Sequence, residues 1–137
     1  MSFVQAIIKN PTRSLGMLNK STSQVTVMKE VLDLTAGLAV PATSSSTVKT
    51  IAGVSNQAIS VAEALSQVPV IELFQNDVWI ADSTNNSNPL HNGQDMVLTD
   101  STTVNNTGTT SASGVVQQVG VYGAAADKKI LVRFITE

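Results

Sequence analysis

Few residues in this sequence are equipped for chemistry. The single histidine, His91, lies beside Asn92-Gly93 in a polar stretch, and there is no cysteine. A histidine acting as general base needs a hydroxyl or carboxyl partner within hydrogen-bond reach, and fifteen serines and fifteen threonines single out none. No Gly-x-Ser-x-Gly elbow accompanies them, so the strained turn that presents a nucleophilic serine is missing. His91 therefore reads as a surface residue of a turn. Without thiols there is no disulfide framework and no thiolate zinc site, and one imidazole cannot make a multi-histidine metal centre. Asp82, Thr84 and Asn86 have the oxygen-rich spacing of a calcium loop, but Ser87 stands where the turning glycine belongs and Gly93 where the bidentate glutamate belongs. That excludes an EF-hand and leaves only a weaker ion site open. Gly120-Val121-Tyr122-Gly123 lacks the lysine and spacing of a phosphate-cradling loop. The expectation is a chain that is not an enzyme, with no catalytic residue, no metal and no cofactor.

Composition and charge narrow the class further. A chain of 137 residues and 14.3 kDa suits one domain, which when compact would expose roughly 6,800 Å² and bury about two-thirds of its unfolded surface. Apolar residues make up 42% and charged residues 13%, against a usual charged share of about 25%. The charges are unevenly placed: residues 1–24 carry Lys9, Arg13 and Lys20 and no acid, whereas residues 50–127 carry seven acids and no cation. A phosphate-binding body needs the opposite distribution, so no direct nucleic-acid contact is expected. The basic leader can lie against an acidic neighbour, including a second copy, or simply keep a terminus soluble. No stretch offers the ~20 predominantly apolar residues of a spanning helix, and Phe3 to Ile8 is too short, and lacks the preceding positive region, for a secretory signal. No membrane contact is expected.

Hydrophobic patterning divides the chain into an N-terminal arm, residues 1–24, and a β-rich body, residues 25–137. The leader mixes Asn10-Pro11, Gly16 and Asn19 with apolar residues in no sustained period. Between 24 and 40 the pattern fits a strand or a helical face equally, and Pro41 ends it. A β-branched segment follows at Val48, Ile51 and Val54, while residues 59–65 suit either a short helix or a strand. Val68 to Phe74 and Asp77 to Asp82 are two apolar runs about a turn apart, which suggests a hairpin with Trp79 in the core. From Asp82 to Ser113, 20 of 32 residues are Ser, Thr, Asn or Gly, a loop-rich region holding one short strand at Met96 to Leu98. Val115 to Val121 and Ile130 to Ile135 read as a closing hairpin. The expected fold is mainly β, a small barrel or sandwich with room for one short helix and an extended N-terminal arm.

The second half carries a family likeness. DVWIAD (Asp77 to Asp82), a polar loop, MVLTDS (Met96 to Ser101), TVNNTGT (Thr103 to Thr109) and GVYGAAADKKILVRF (Gly120 to Phe134) occur in that order. Together they resemble capsid decoration, or cement, proteins of tailed bacteriophages. The likeness covers roughly residues 68–135, and residues 1–47 carry none of it. It implies a small β-rich protein, commonly a homotrimer, on the outer capsid surface of the virion. There it would clamp neighbouring major capsid subunits against the pressure of packaged DNA, with no chemical step. The implied partners are the major capsid protein and other copies of the same chain.

An extended leader with spaced apolar residues can add a strand to a sheet edge or lie in a groove, and Phe3, Val4, Ile7, Ile8, Leu15 and Leu18 are the candidate contacts. On that view, deleting residues 1–20 leaves a folded body that binds shells poorly. Two alternatives stand beside it. One is a tail, fibre or adhesin-type β module whose 82–113 stretch touches a host receptor or glycan; the other is a small hydrolase built on His91.

Overall fold

The computed structural model describes residues 3–7, 15–19, 30–55, 67–71, 77–107 and 113–135. Among these lie twelve strands: β1 (Val4–Ile7), β2 (Leu15–Asn19), β3 (Val31–Thr35), β4 (Leu38–Pro41), β5 (Ile51–Ser55), β6 (Gln67–Ile71), β7 (Val78–Ser83), β8 (Asp95–Met96), β9 (Leu98–Asp100), β10 (Thr103–Val104), β11 (Val116–Val121) and β12 (Lys129–Phe134). Single 3-10 turns occur at Pro89–His91 and Ala125–Asp127. The fold is mainly β, as expected, with a nearly closed barrel-like sheet and a second, separate sheet. The accessible surface, 6815 Å², agrees with the roughly 6,800 Å² that scaling gives for this mass.

Alternation builds the barrel. In β7 Trp79, Ala81 and Ser83 are buried while Val78, Ile80 and Asp82 are half-exposed, and β12 repeats the pattern with Ile130, Val132 and Phe134 inside. The two strands pair antiparallel with Ile130 opposite Ala81 and Val132 opposite Trp79. Directly opposed side chains share a face, so both strands present the same apolar side to the interior. Trp79 meets Phe134 edge-on at 5.8 Å between ring centroids, and Phe3 lies 5.4 Å from Phe134 on a tilt. Such aromatic pairs contribute about 0.5–1.5 kcal/mol beyond their burial.

The strand order β8-β11-β12-β7-β10-β9 nearly closes because β8 and β9, its two ends, are halves of one bent segment separated by Val97. β8 pairs with β11 and β9 with β10. The carbonyls at the bend stay satisfied: Met96 O accepts from Val115 N at 2.9 Å and Val97 O from Asn105 N at 3.0 Å.

The second sheet, β2-β6-β5-β3-β4, is antiparallel throughout. Within the 24–40 stretch whose type the pattern left open, the described residues include a hairpin of this sheet: β3 and β4 joined by Ala36-Gly37. Both turn residues have positive φ, 52° and 79°, the two-residue turn whose twist matches paired strands. At the crossing of β5 and β6, a Cβ on Gly53 would stand 2.7 Å from Ile71 O; only glycine lets the backbones approach so closely. Val31, Ala42, Val54 and Ile71 join the barrel's interior residues in one core cluster.

A buried carboxylate helps to tie the sheets together. Glu30, 2% exposed, accepts from Ser101 Oγ at 2.7 Å, while its backbone exchanges bonds with Ser55 and the next residue, Val31, donates its N–H to Ser101 O at 2.7 Å.

Three expectations need correction. The runs at 68–74 and 77–82 do not form a hairpin: β6 pairs with β2 and β5 in one sheet, β7 with β12, β10 and β1 in the other. The 82–113 region holds three short strands, not one. The leader is extended, but its described residues are built into the body: β1 pairs with β7 and β2 with β6, and Phe3 is fully buried. Deleting residues 1–20 therefore removes two strands and a core aromatic, and is not expected to leave a stable body. Residues 59–65, for which helix and strand were both open, lie outside the described residues.

Candidate functional site

The polar segment after β7 is organised by buried amides. Asn106, 1% exposed, accepts from Asn85 N at 2.8 Å through Oδ1 and donates from Nδ2 to the carbonyls of Asn85 at 3.1 Å and Asn86 at 3.2 Å. Gln118, fully buried on β11, donates to Asn88 O at 2.8 Å and to Asn92 Oδ1 at 2.9 Å. Gly93 N donates to Gln118 O, and Gln118 N to Gln94 O. Asn88 Oδ1 caps the 3-10 turn by accepting from Leu90 N at 3.0 Å. In the interior each of these amides fixes backbone groups that would otherwise be left without partners.

This scaffold holds an apolar residue out in solvent. Leu90 is 83% exposed on a turn anchored at both ends to β11 through Gln118. On β11 the pairing with β12 shifts register between Gln118 and Gly120, a bulge of the kind that re-aims side chains. Val119 at that bulge is 40% exposed, and Tyr122 just beyond the strand is 49% exposed. Isolated exposed apolar residues are ordinary. Here three occur on adjoining elements, and the one most exposed is the most rigidly framed.

Among the described residues the chemistry-bearing side chains do not converge. His91 is half-exposed in the same turn, and its Nδ1 has no hydrogen-bond partner among the described residues. The calcium-like positions are engaged separately: Asp82 forms an ion pair with Lys129 at 2.7 Å, Thr84 Oγ1 bonds with Thr99 Oγ1, and Asn86 O accepts from Asn106. Among the described residues no three His, Cys, Asp or Glu side chains stand together.

Two shallow clefts are lined by described residues. One of about 490 Å³ lies between the end of β4 and the β9–β10 turn, lined by Thr35, Val40, Pro41, Ala42, Thr43, Asp100 and Ser101. Burial alone would raise the Asp100 carboxyl, but hydrogen bonds from Thr102 N, Thr102 Oγ1 and Thr103 outweigh it and hold the group below its ordinary value. The second cleft, about 250 Å³, is lined by Thr47, Val48, Lys49, Ser113 and Gly114.

The proposed contact residues of the leader fall in different places. Phe3 is a core residue, so in this fold its ring is not a surface anchor. Val4 and Ile7 lie on β1 beside β7, Leu15 and Leu18 lie on β2 beside β6, and Ile8 lies outside the described residues. Leu90 was missed in the sequence, although it is the only large apolar residue between Asp82 and Asp95. That isolation was the available signal.

No family model matches the chain, no curated protein matches its sequence and no solved structure matches its fold.

Proposed function

We propose that this chain is a capsid decoration protein, binding the outer surface of an icosahedral phage shell and clamping neighbouring major capsid subunits against internal DNA pressure. One observation carries the reading. The stretches on which the family likeness rests supply β7, most of β8–β9, β10, the end of β11 and β12, all of them strands of one nearly closed sheet. The quoted stretches thus share one sheet, although the outer range of the likeness, from residue 68, also takes in β6 of the other.

The surface suits adhesion. A rigid polar loop presents Leu90, and repeated copies on a lattice convert weak individual contacts into effectively intramolecular ones. The glycan- or receptor-binding alternative has less support. Sugar stacking needs exposed aromatic faces, and of the described aromatics Phe3, Trp79 and Phe134 are buried and only Tyr122 is open.

The test is reconstitution on phage shells lacking this chain. The proposal expects saturable binding at a copy number comparable to the major capsid subunit, with shells that resist heat better once decorated. Shells that bind none of it would overturn the proposal.

A further inference from the structure

We propose that the edge of β7 beside β10 is a strand-exchange site, filled by Phe3–Ile7 of the same chain in the isolated molecule and by the same segment of a second copy when copies are crowded. This deepens the shell-binding reading by naming one partner surface, and its purpose rests on that reading.

β7 is paired along both of its edges. β12 covers one edge along Trp79–Asp82. The other edge is divided: β10 runs parallel beside Asp82 and Ser83, and β1 runs antiparallel beside Val78, Trp79 and Ile80. The barrel path therefore closes without β1, which lies off it. β1 completes a vacancy that the barrel's own order leaves on a central strand. An unpaired central strand edge is a template for any extended segment of suitable chemistry.

The site reads its occupant by more than backbone pairing. Phe3, immediately before β1, has 0% exposure and stacks on Phe134, itself edge-on to Trp79. An aromatic lead residue followed by a short strand is thus the recognised pattern, and every copy carries it. β7 is the only strand partner of β1 among the described residues, so releasing β1 breaks no other strand pairing of its own.

Exchange keeps the contacts the same. In cis and in trans the Phe3 socket and the β7 register are identical, so the balance is set by effective concentration. A short tether gives a local concentration on the order of millimolar. Seven residues, 8–14, separate β1 from β2, a span of at most roughly 25 Å when extended. Copies held side by side at comparable density can then compete with the cis strand, the usual low-cost route to swapped assemblies.

The chain has no cysteine, which makes a disulfide test clean. Val4 and Ile80 are register partners. Full-length Val4→Cys and Ile80→Cys chains are mixed, held in mild urea so that strands can move, returned to buffer and oxidised with glutathione disulfide. Each variant alone sets the background of chance dimers. The expected result is a mixed disulfide dimer above that background, rising at least tenfold between about 10 µM and 1 mM. The Val4→Cys/Ile80→Cys double variant at about 10 µM should instead give an internally linked monomer.

Absence of the mixed dimer at about 1 mM, with the internal link forming, would overturn exchange. The pair Ile7→Cys and Val78→Cys repeats the test should the first pair fold poorly; internal links in neither double variant would overturn the β1–β7 site itself. No shell is involved, so failure here is separate from failure of shell binding.

Discussion

Two regions invert what their compositions suggest. The stretch from Thr84 to Asn106 is dominated by Ser, Thr and Asn and has the makeup of a loose loop, yet the side-chain amides of Asn106 and Gln118 bind its backbone at four points. The leader has the makeup of an arm, yet Phe3 is in the core and two of its segments are strands of different sheets. The difference teaches that in a chain so poor in charge, order follows buried hydrogen bonds as much as apolar content. One buried asparagine can replace what a strand ladder supplies elsewhere.

The comparison makes graded predictions. If the leader is integral, Phe3→Ala should cost about 3–5 kcal/mol, the range for emptying a buried aromatic site. It should be read as a lowered urea midpoint with unchanged slope; a shift below about 1 kcal/mol would restore the picture of a free arm. If the polar stretch is held by amides, Asn106→Ala should cost about 1–3 kcal/mol, because Asn85 N and two carbonyls lose their partner. Hydrogen exchange should then accelerate at Asn85 while β7 and β12 stay protected. Unchanged exchange would mean the loop is ordered by something else.

Leu90→Ser sharpens the contrast between holding and presenting. At 83% exposure its stability effect should stay within about 0.5 kcal/mol, while affinity for shells falls about tenfold, or about 1.4 kcal/mol. The smallest effect is expected at Asp100. Its carboxyl is held below the ordinary value by the Thr102 and Thr103 bonds, so the stability it adds is present above the unfolded value near ~3.9 and is lost as pH falls through the lower folded value. Asp100→Asn should slightly flatten the loss of stability between about pH 5 and pH 2. A steeper loss in the variant would reverse the sign of the assigned shift.

Much of the barrel was legible because alternation is a local signal. Trp79, Ala81, Ile130, Val132 and Phe134 are interior residues spaced by two, and the β11–β12 hairpin stands where the apolar runs put it. Pairing between distant segments was not legible. β6 and β7 are neighbours in sequence but belong to different sheets, a choice made by which partners bury each face and not by either run alone. The β3–β4 turn escaped notice because Ala36 takes a positive φ of 52°, a conformation that local propensity assigns to Gly or Asn.

Of the candidate site, the place of His91 in a turn beside Asn92-Gly93 was legible in the sequence. The framed exposure of Leu90 was not, because it depends on Gln118, twenty-eight positions later in the chain.

The account as a whole turns on where this chain sits and in what number. Quantitative protein analysis of purified phage particles, with a cryo-electron map of their surface, measures both. The account predicts this chain in copies comparable to the major capsid subunit, with its density on the outer face where subunits meet. A handful of copies confined to the tail, or none on the particle, would contradict it.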